Sequence, residues 1–197
     1  MIRLFTALCK AALKNFTETE YDLFRDASDN FSHYSERCPA CGACGKLSYY
    51  GDYGRGLVSY ESMQTTDYRI RPKRFICASC GTTHALLPDI IAPHSPYSVR
   101  FKLSALIGYF DRETTVEAVC RHFGIAVSTL YTWKRDLISH KGLFLGALAN
   151  IKVSALDFIR GLLSSGCISE RSCDFFRKYA ISFLQHTPGK ATRSCPP

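Results

Sequence analysis

Two groups of closely spaced cysteines constrain this chain more than any other feature of its sequence. The segment CPACGACG places Cys38, Cys41 and Cys44 at successive C-x-x-C spacings, and the later segment CASCG repeats the spacing with Cys77 and Cys80. Two C-x-x-C turns can present four thiolates to one Zn²⁺ in a tetrahedron. We therefore predict one structural zinc ion, because four thiolates leave no open position for water.

The first cysteine group allows two ligand registers. Pro39 pre-sets the backbone of the first turn, so we favour Cys38 with Cys41 and expect Cys44 to be a spare thiol. The alternative register uses Cys41 with Cys44. A thioredoxin-like redox role is disfavoured, because neither pair stands between a strand and a helix of a predicted βαβ unit.

The spacer between the two cysteine pairs is longer than usual. It holds 35 residues after Cys41, or 32 after Cys44, whereas related zinc sites hold about 15–20. We therefore predict a hairpin inserted between the two turns. His33 and His84 could replace a cysteine as ligands, but we interpret each as a surface histidine.

The remaining composition indicates a globular, cytoplasmic protein. The 197-residue chain is 46% hydrophobic and 21% charged, which is outside the disordered class. No apolar run approaches the roughly 18 residues of a membrane span, and the uncharged stretch between Arg3 and Lys10 is too short for a signal-peptide core. In a reducing compartment, ten cysteines favour metal ligands and free thiols over disulfides.

The segment ETTVEAVCRHFGIAVSTLYTWKRDL, residues 113–137, predicts two helices joined at Gly124. Thr114 and Glu117 fit a capping box at the start of the first helix. Gly124 permits the positive φ that ends a helix. The second helix is expected over 127–139. Its buried face should contain Leu130, either Trp133 or the aliphatic part of Lys134, and Leu137.

A helix pair of this kind can bind double-stranded DNA, with the second helix in the major groove and flanking cations on phosphates. The formal net charge of +8, of which +3 falls in residues 96–142, suits a polyanionic partner. Ser128 and Tyr131 are the candidates for base contact. The candidates for phosphate contact on and around the pair are Arg121, Lys134, Arg135 and Lys141. The alternative is a helical hairpin that only packs.

A second basic pattern precedes the later cysteine pair. Arg71 and Lys73 share one face of a predicted strand with Arg69. They could lie along a phosphate backbone, and we include Arg71 and Lys73 among the DNA-binding candidates. The alternative is an exposed edge strand protected from aggregation by its charges.

Several segments of the sequence resemble parts of a known group of proteins. GIAVSTLYTWKRDL resembles the recognition half of transposase and resolvase helix-turn-helix domains, whose usual form is Gly-Val/Ile-Ser-x-Ser-Thr-Val/Leu-Tyr-x-Trp. CPACG, YYGDYGRG and RFICASCGTTHALLP resemble the zinc-ribbon start of insertion-sequence transposases and of short transposase-like bacterial proteins of unknown function. The resemblance covers about residues 37–140. It implies a DNA-binding protein connected with a mobile element, although Ala126, followed by Val127, stands where the pattern usually has serine or another polar residue.

The sequence departs from these transposases in its acidic residues. The transposases it resembles hold two Mg²⁺ with three acidic residues on an RNase-H-like fold. After residue 142 the acids are Asp157, Glu170 and Asp174, on segments that are predicted to be helical. Such segments cannot build a mixed sheet with a two-metal site. We therefore expect neither enzymatic activity nor a small-molecule substrate.

The predicted fold class is α+β, mostly α. The expected order is an N-terminal helical segment over 1–36 with its first helix at 2–14, a small β zinc ribbon over 37–95 that closes with an extended connector, a helix-turn-helix domain over 96–142, a C-terminal helical pair over 143–187 and a disordered tail over 188–197. The apolar stripe of the C-terminal pair either packs back onto the helix-turn-helix or forms a homodimer interface.

Two other function classes stay open. One is a protein–protein adapter, in which a zinc ribbon and a helical bundle serve a larger assembly. The other is an RNA binder, which would prefer single strands and depend on stacking by tyrosines. The tyrosines available for it are Tyr49, Tyr50, Tyr53 and Tyr60.

Overall fold

The computed structural model describes residues 3–7, 19–88, 91–145, 153–164, 168–179 and 181–186. Within these residues the chain forms mixed α and β structure, with more helix than strand, which confirms the predicted α+β class. The elements in chain order are β1 (Arg3–Ala7), α1 (Glu20–Asp29), β2 (Leu47–Asp52), β3 (Arg55–Glu61), β4 (Gln64–Ile70), β5 (Lys73–Cys77), β6 (Thr83–Pro88), α2 (Val99–Asp111), α3 (Val116–Phe123), α4 (Val127–Leu145), α5 (Ala155–Ser164) and α6 (Ile168–Tyr179).

Four strands form one sheet in the order β1-β6-β5-β2. The strand β5 pairs antiparallel with both β2 and β6, and β1 pairs parallel with β6. The strands β3 and β4 form a separate hairpin, which is the insertion predicted from the long spacer. Its two-residue turn places Ser62 and Met63 at positive φ, as the twist of a tight hairpin requires.

The helix predicted over residues 2–14 is wrong at Arg3–Ala7, which form β1. These five residues pair with His84–Pro88 of β6, whose outer edge would otherwise expose unpaired backbone groups. The five residues Arg3–Ala7 make too few helical turns to show a helical periodicity. Their conformation is therefore decided by pairing with β6, which is far away in the sequence. Residues 8–14 and the predicted disordered tail over 188–197 lie outside the described residues.

The connector predicted at the end of the zinc ribbon is also wrong in part, because Thr83–Pro88 form β6. Pro88 comes last in the strand, where a missing N–H costs no ladder hydrogen bond. The prolines therefore mark the end of a strand rather than a wholly irregular segment.

Two hydrophobic cores organise the described residues. The smaller core lies in the four-stranded sheet and consists of Cys38, Leu47, Phe75, Cys77 and Leu86. The larger core joins the helices to α1 and to the β3–β4 hairpin. The hairpin contacts the helices through Tyr60, whose hydroxyl lies 2.9 Å from His122 Nε2. The inserted hairpin thus packs with the helices.

The helices beyond α4 fold back onto the larger core. The α4 helix continues without a break through residue 142, the predicted domain boundary. Ile159 of α5, Phe175 of α6 and Phe183 are each at most 3% exposed within this core. The interpretation that the stripe packs back is therefore confirmed for these three residues. No helix among the described residues is long and apolar enough to cross a membrane.

Candidate functional site

Four cysteine sulfurs converge at one end of the four-stranded sheet. Cys38 and Cys41 lie in the turn before β2. Cys77 is the last residue of β5, and Cys80 lies in the turn between β5 and β6. All four Sγ atoms lie within 4.8 Å of one another, and the pairs Cys38–Cys80 and Cys41–Cys77 are each 3.7 Å apart. Corners of a tetrahedron about 2.3 Å from a central ion are separated by about 3.8 Å. The group therefore has the size of a tetrahedral metal site.

The two cysteine turns have the same backbone structure. Gly42 N donates to Cys38 O at 2.8 Å, and Gly81 N donates to Cys77 O at 2.8 Å. Both glycines have positive φ, of 74° and 67°. A residue with a side chain is strained in this conformation, which explains the glycine after each C-x-x-C pair. The repeated local motif brings the two pairs of sulfurs to a common centre.

Cys41 and Cys80, two thiols of this group, have shifted pKa values. A backbone hydrogen bond from Ala43 lowers the pKa of Cys41, but burial and the three neighbouring thiols outweigh it and raise that pKa to about 12. Hydrogen bonds from the side chain and backbone of Thr82 lower the pKa of Cys80 to about 6. The pKa values of these two thiols are therefore shifted in opposite directions. A divalent cation at the centre would stabilise all four thiolates.

The group contains the favoured pair Cys38 and Cys41, and Cys44 is not in it. Cys44 is exposed, and its Sγ lies 3.7 Å from the backbone oxygen of Ser35. The interpretation of His84 as a surface histidine is wrong, because this side chain is fully buried with Nε2 3.3 Å from Cys38 Sγ. His84 holds a candidate ligand in place and lies outside the four-residue group.

The helices α3 and α4 are joined by a tight turn. Thr115 caps α3 by accepting a hydrogen bond from the N–H three residues later, so the cap is one residue beyond the predicted Thr114. Gly124 ends α3 with φ of 63°, as predicted. Ile125 follows and is buried in the larger core between the two helices.

The first turns of α4 have one buried face and one exposed face. Leu130, Trp133 and Leu137 are buried, which confirms that prediction. Ser128, Tyr131 and Arg135 are exposed, and Arg121 is exposed on α3. Within the described residues, the side chains of Arg121 and Arg135 form neither an ion pair nor a hydrogen bond. These four candidates are open to a partner.

Two other candidate cations on α4 have intramolecular partners. Lys134 Nζ donates to the Tyr109 hydroxyl at 2.6 Å and lies 4.8 Å and 5.6 Å from the ring centroids of Tyr109 and Tyr131. Lys141 Nζ donates to the backbone oxygen of Val153. Tyr109 and Val153 are distant in sequence, so no local pattern could indicate these contacts.

The two candidates near the later cysteine pair are also engaged. Arg71 Nε donates to Asp52 Oδ1 at 3.0 Å. Lys73 Nζ donates to the backbone oxygen of Ser28 at 2.7 Å.

The single strand predicted for Arg69, Arg71 and Lys73 is wrong, because β4 ends at Ile70 and β5 begins at Lys73 in the other sheet. The alternative of an exposed edge strand is wrong for Lys73 as well, because β5 lies between β6 and β2. The side chains of Arg71 and Lys73 instead contact β2 and α1.

Comparison with known proteins gives one family match. Residues 38–133, just under half of the chain, match the model of a domain of unknown function, DUF6431. The matched segment begins at Cys38 and ends at Trp133, so it contains the four clustered cysteines and the joined ends of α3 and α4. No curated protein matches the chain, and no solved structure matches it.

Proposed function

We propose that this protein is a zinc-containing, non-enzymatic protein that binds double-stranded DNA through a helix-turn-helix formed by α3 and α4. The observation that carries the proposal is the exposed face of α4 at Ser128, Tyr131 and Arg135. The opposite face of α4 is fixed in the larger core. A recognition helix needs both properties, since its first turns must enter the groove while the rest of the domain holds its orientation.

The exposed residues divide into base and phosphate contacts. Ser128 and Tyr131 can donate hydrogen bonds to base edges, and Val127, 38% exposed, can pack on a thymine methyl group. Arg121 and Arg135 are the free cations that would contact phosphates. Lys134 contributes indirectly, because its contacts with Tyr109 and Tyr131 position the Tyr131 ring.

The four clustered cysteines would hold the zinc ion. Four thiolates complete a tetrahedral shell, so the ion would supply structure and no reactive position. Among the residues whose side chains the structure describes, the smaller core contains five buried residues. A core of this size needs a further cross-link, which zinc would provide between the turn before β2 and the turn after β5. The resemblance to transposase DNA-binding regions supports the inferred connection with a mobile element.

The proposal is tested by selecting binders from a randomised duplex pool with the zinc-loaded full chain at low and high salt. We expect an enriched motif and an affinity that falls steeply with salt. Arg135→Gln should weaken binding to every duplex and reduce the salt dependence. Arg25→Gln removes the same charge from α1 and should change neither. Absence of binding at both salt concentrations would contradict the proposal.

A protein–protein adapter is the second candidate function, and a groove favours it. A cavity of about 420 Å³ opens between the end of α4, α5 and α6. Leu143, Leu145 and Phe158 contribute apolar surface, while Arg171 and Lys178 contribute charge. Failure of the duplex selection would make this groove the next surface to test.

A further inference from the structure

A row of aromatic rings that neither the metal site nor the helix pair uses runs from residues 33–34, in a short 3-10 turn, onto the strands β5 and β2 of the four-stranded sheet. Ring centroids follow one another from Tyr34 to His33 at 4.0 Å, from His33 to Phe75 at 5.2 Å and from Phe75 to Tyr49 at 6.2 Å. Phe75 is buried in the smaller core. Tyr34 and Tyr49, at the two ends, are 77% and 56% exposed. A fixed inner ring thus supports two tyrosines that face solvent.

Exposed cations lie close to this row in the chain. Arg37 follows Tyr34 by three residues, and Lys46 precedes Tyr49 by three. The turn that carries the first cysteine pair brings these two positions together, because Gly45 N donates to Glu36 O at 3.2 Å. Within the described residues, the side chains of Arg37 and Lys46 form neither an ion pair nor a hydrogen bond. The acid nearest Tyr49 on its strand, Asp52, is paired with Arg71.

We propose that this row binds unpaired nucleobases of a single-stranded nucleic acid. Bases would stack on Tyr34 and Tyr49, while Arg37 and Lys46 would contact the sugar–phosphate backbone. Exposed aromatic rings beside free cations are the combination that binds single strands with little sequence preference, because every base has a flat apolar face. The surface does not include α4, so this chain would hold an unpaired strand separately from the duplex of the proposed function.

The row differs from the other exposed tyrosine of the same strand. Tyr50 is 58% exposed, and the guanidinium of Arg74 lies 5.4 Å from its ring centroid. Arg74 and Phe75 are consecutive residues of β5, so they lie on opposite faces of the sheet. Tyr50 therefore lies on the face away from the row and provides a matched control.

The experiment titrates labelled oligo-dT and oligo-rU strands of about 12 nucleotides with the zinc-loaded full chain, using fluorescence anisotropy at low salt. Tyr34→Ala and Tyr49→Ala should each weaken binding by about 5- to 150-fold, the range expected for loss of one stacked base. Tyr34→Phe and Tyr49→Phe keep the ring and should retain affinity, as should Tyr50→Ala. Comparison of the affinities for oligo-dT and oligo-rU shows whether the unpaired bases come from DNA or RNA. Zinc content of each variant verifies that it is folded.

Unchanged affinity in Tyr34→Ala and Tyr49→Ala, or an equal loss in Tyr50→Ala, would overturn the inference. A parallel titration with a DNA duplex tests the proposed function independently of this inference. Duplex binding without strand binding would overturn only the inference. Strand binding that depends on Tyr34 and Tyr49, in a protein that binds no duplex, would support the inference and overturn the proposed function.

Discussion

Cys38 connects the proposed zinc site with the hydrophobic interior of the sheet. Its side chain is 2% exposed, and its Sγ contacts both His84 Nε2 and the N–H of Ala40. A ligand held by hydrogen bonds and by packing is already oriented before metal arrives, which favours binding. Cys77, at the end of β5, is also buried, with 1% of its surface exposed. Each pair therefore contributes one buried and one exposed sulfur.

Replacement of one buried cysteine should remove the metal and unfold the sheet. We expect Cys77→Ala to lose zinc and to lower the melting temperature, since three thiolates cannot complete the shell and the smaller core depends on the ion. The measurements are zinc content of the purified protein and thermal unfolding. Cys44→Ala is the control, because Cys44 stands outside the group and should leave both quantities unchanged. Full zinc content and native melting of Cys77→Ala would contradict the assignment.

At the scale of elements, α3 and α4 depend on one turn. Gly124 has positive φ, and a Cβ added there would meet no atom within 4 Å. The cost of a side chain at this position is therefore backbone strain alone. Gly142 lies within α4, also with no atom within 4 Å of an added Cβ. Helical backbone accepts alanine there without strain.

The two glycines should respond oppositely to the same substitution. Gly124→Ala should destabilise the protein by about 1 kcal/mol, because the left-handed conformation disfavours a side chain. Gly142→Ala should stabilise it by about 0.5–1 kcal/mol, since alanine is the better helix former. Free energies of unfolding from denaturant titrations check both values. Equal changes in the free energy of unfolding would show that the turn does not require glycine at position 124.

At the scale of the whole molecule, the segment at residues 181–186 joins distant helices. Leu184 accepts a hydrogen bond through its backbone oxygen from Lys102 Nζ of α2 at 3.1 Å, and its N–H donates to His140 Nδ1 of α4 at 3.0 Å. Burial lowers the pKa of Lys102 to about 8. Burial also lowers the pKa of His140; the nearby charge of Lys102 adds to this effect and that of Asp136 opposes it.

This arrangement predicts a loss of stability in mild acid. The folded chain keeps His140 neutral, so its contribution is complete above the ordinary histidine pKa of 6.5 and is lost as the pH falls below that value. His140→Asn retains an acceptor for the Leu184 N–H but cannot titrate. The wild-type protein should therefore lose more unfolding free energy than His140→Asn between about pH 7.5 and 5.5. Denaturant titrations of both proteins at the two pH values measure the two losses of unfolding free energy. A loss of zinc would affect both proteins equally and therefore cancels when the two losses are subtracted. Equal losses would exclude His140 as the source.

Local sequence was sufficient for the features that depend on a few neighbouring residues. The glycine after each C-x-x-C pair and Gly124 after α3 indicate tight turns directly, because only particular backbone conformations fit there. The spacing of Leu130, Trp133 and Leu137 indicates a buried helix face, because residues three and four positions apart lie on the same side of a helix. The sequence by itself therefore determined the cysteine turns, the helix pair and the inserted hairpin.

The tertiary structure decided which residues meet across long separations. It paired Arg3–Ala7 with β6, placed the inserted hairpin against the helices, and buried His84 beside Cys38. It also engaged Lys134 with Tyr109, which leaves Arg135 as a free cation on α4. The physical reason is that strand pairing, burial and hydrogen bonding depend on partners far away in the chain, whereas turn geometry and helical spacing depend on near neighbours.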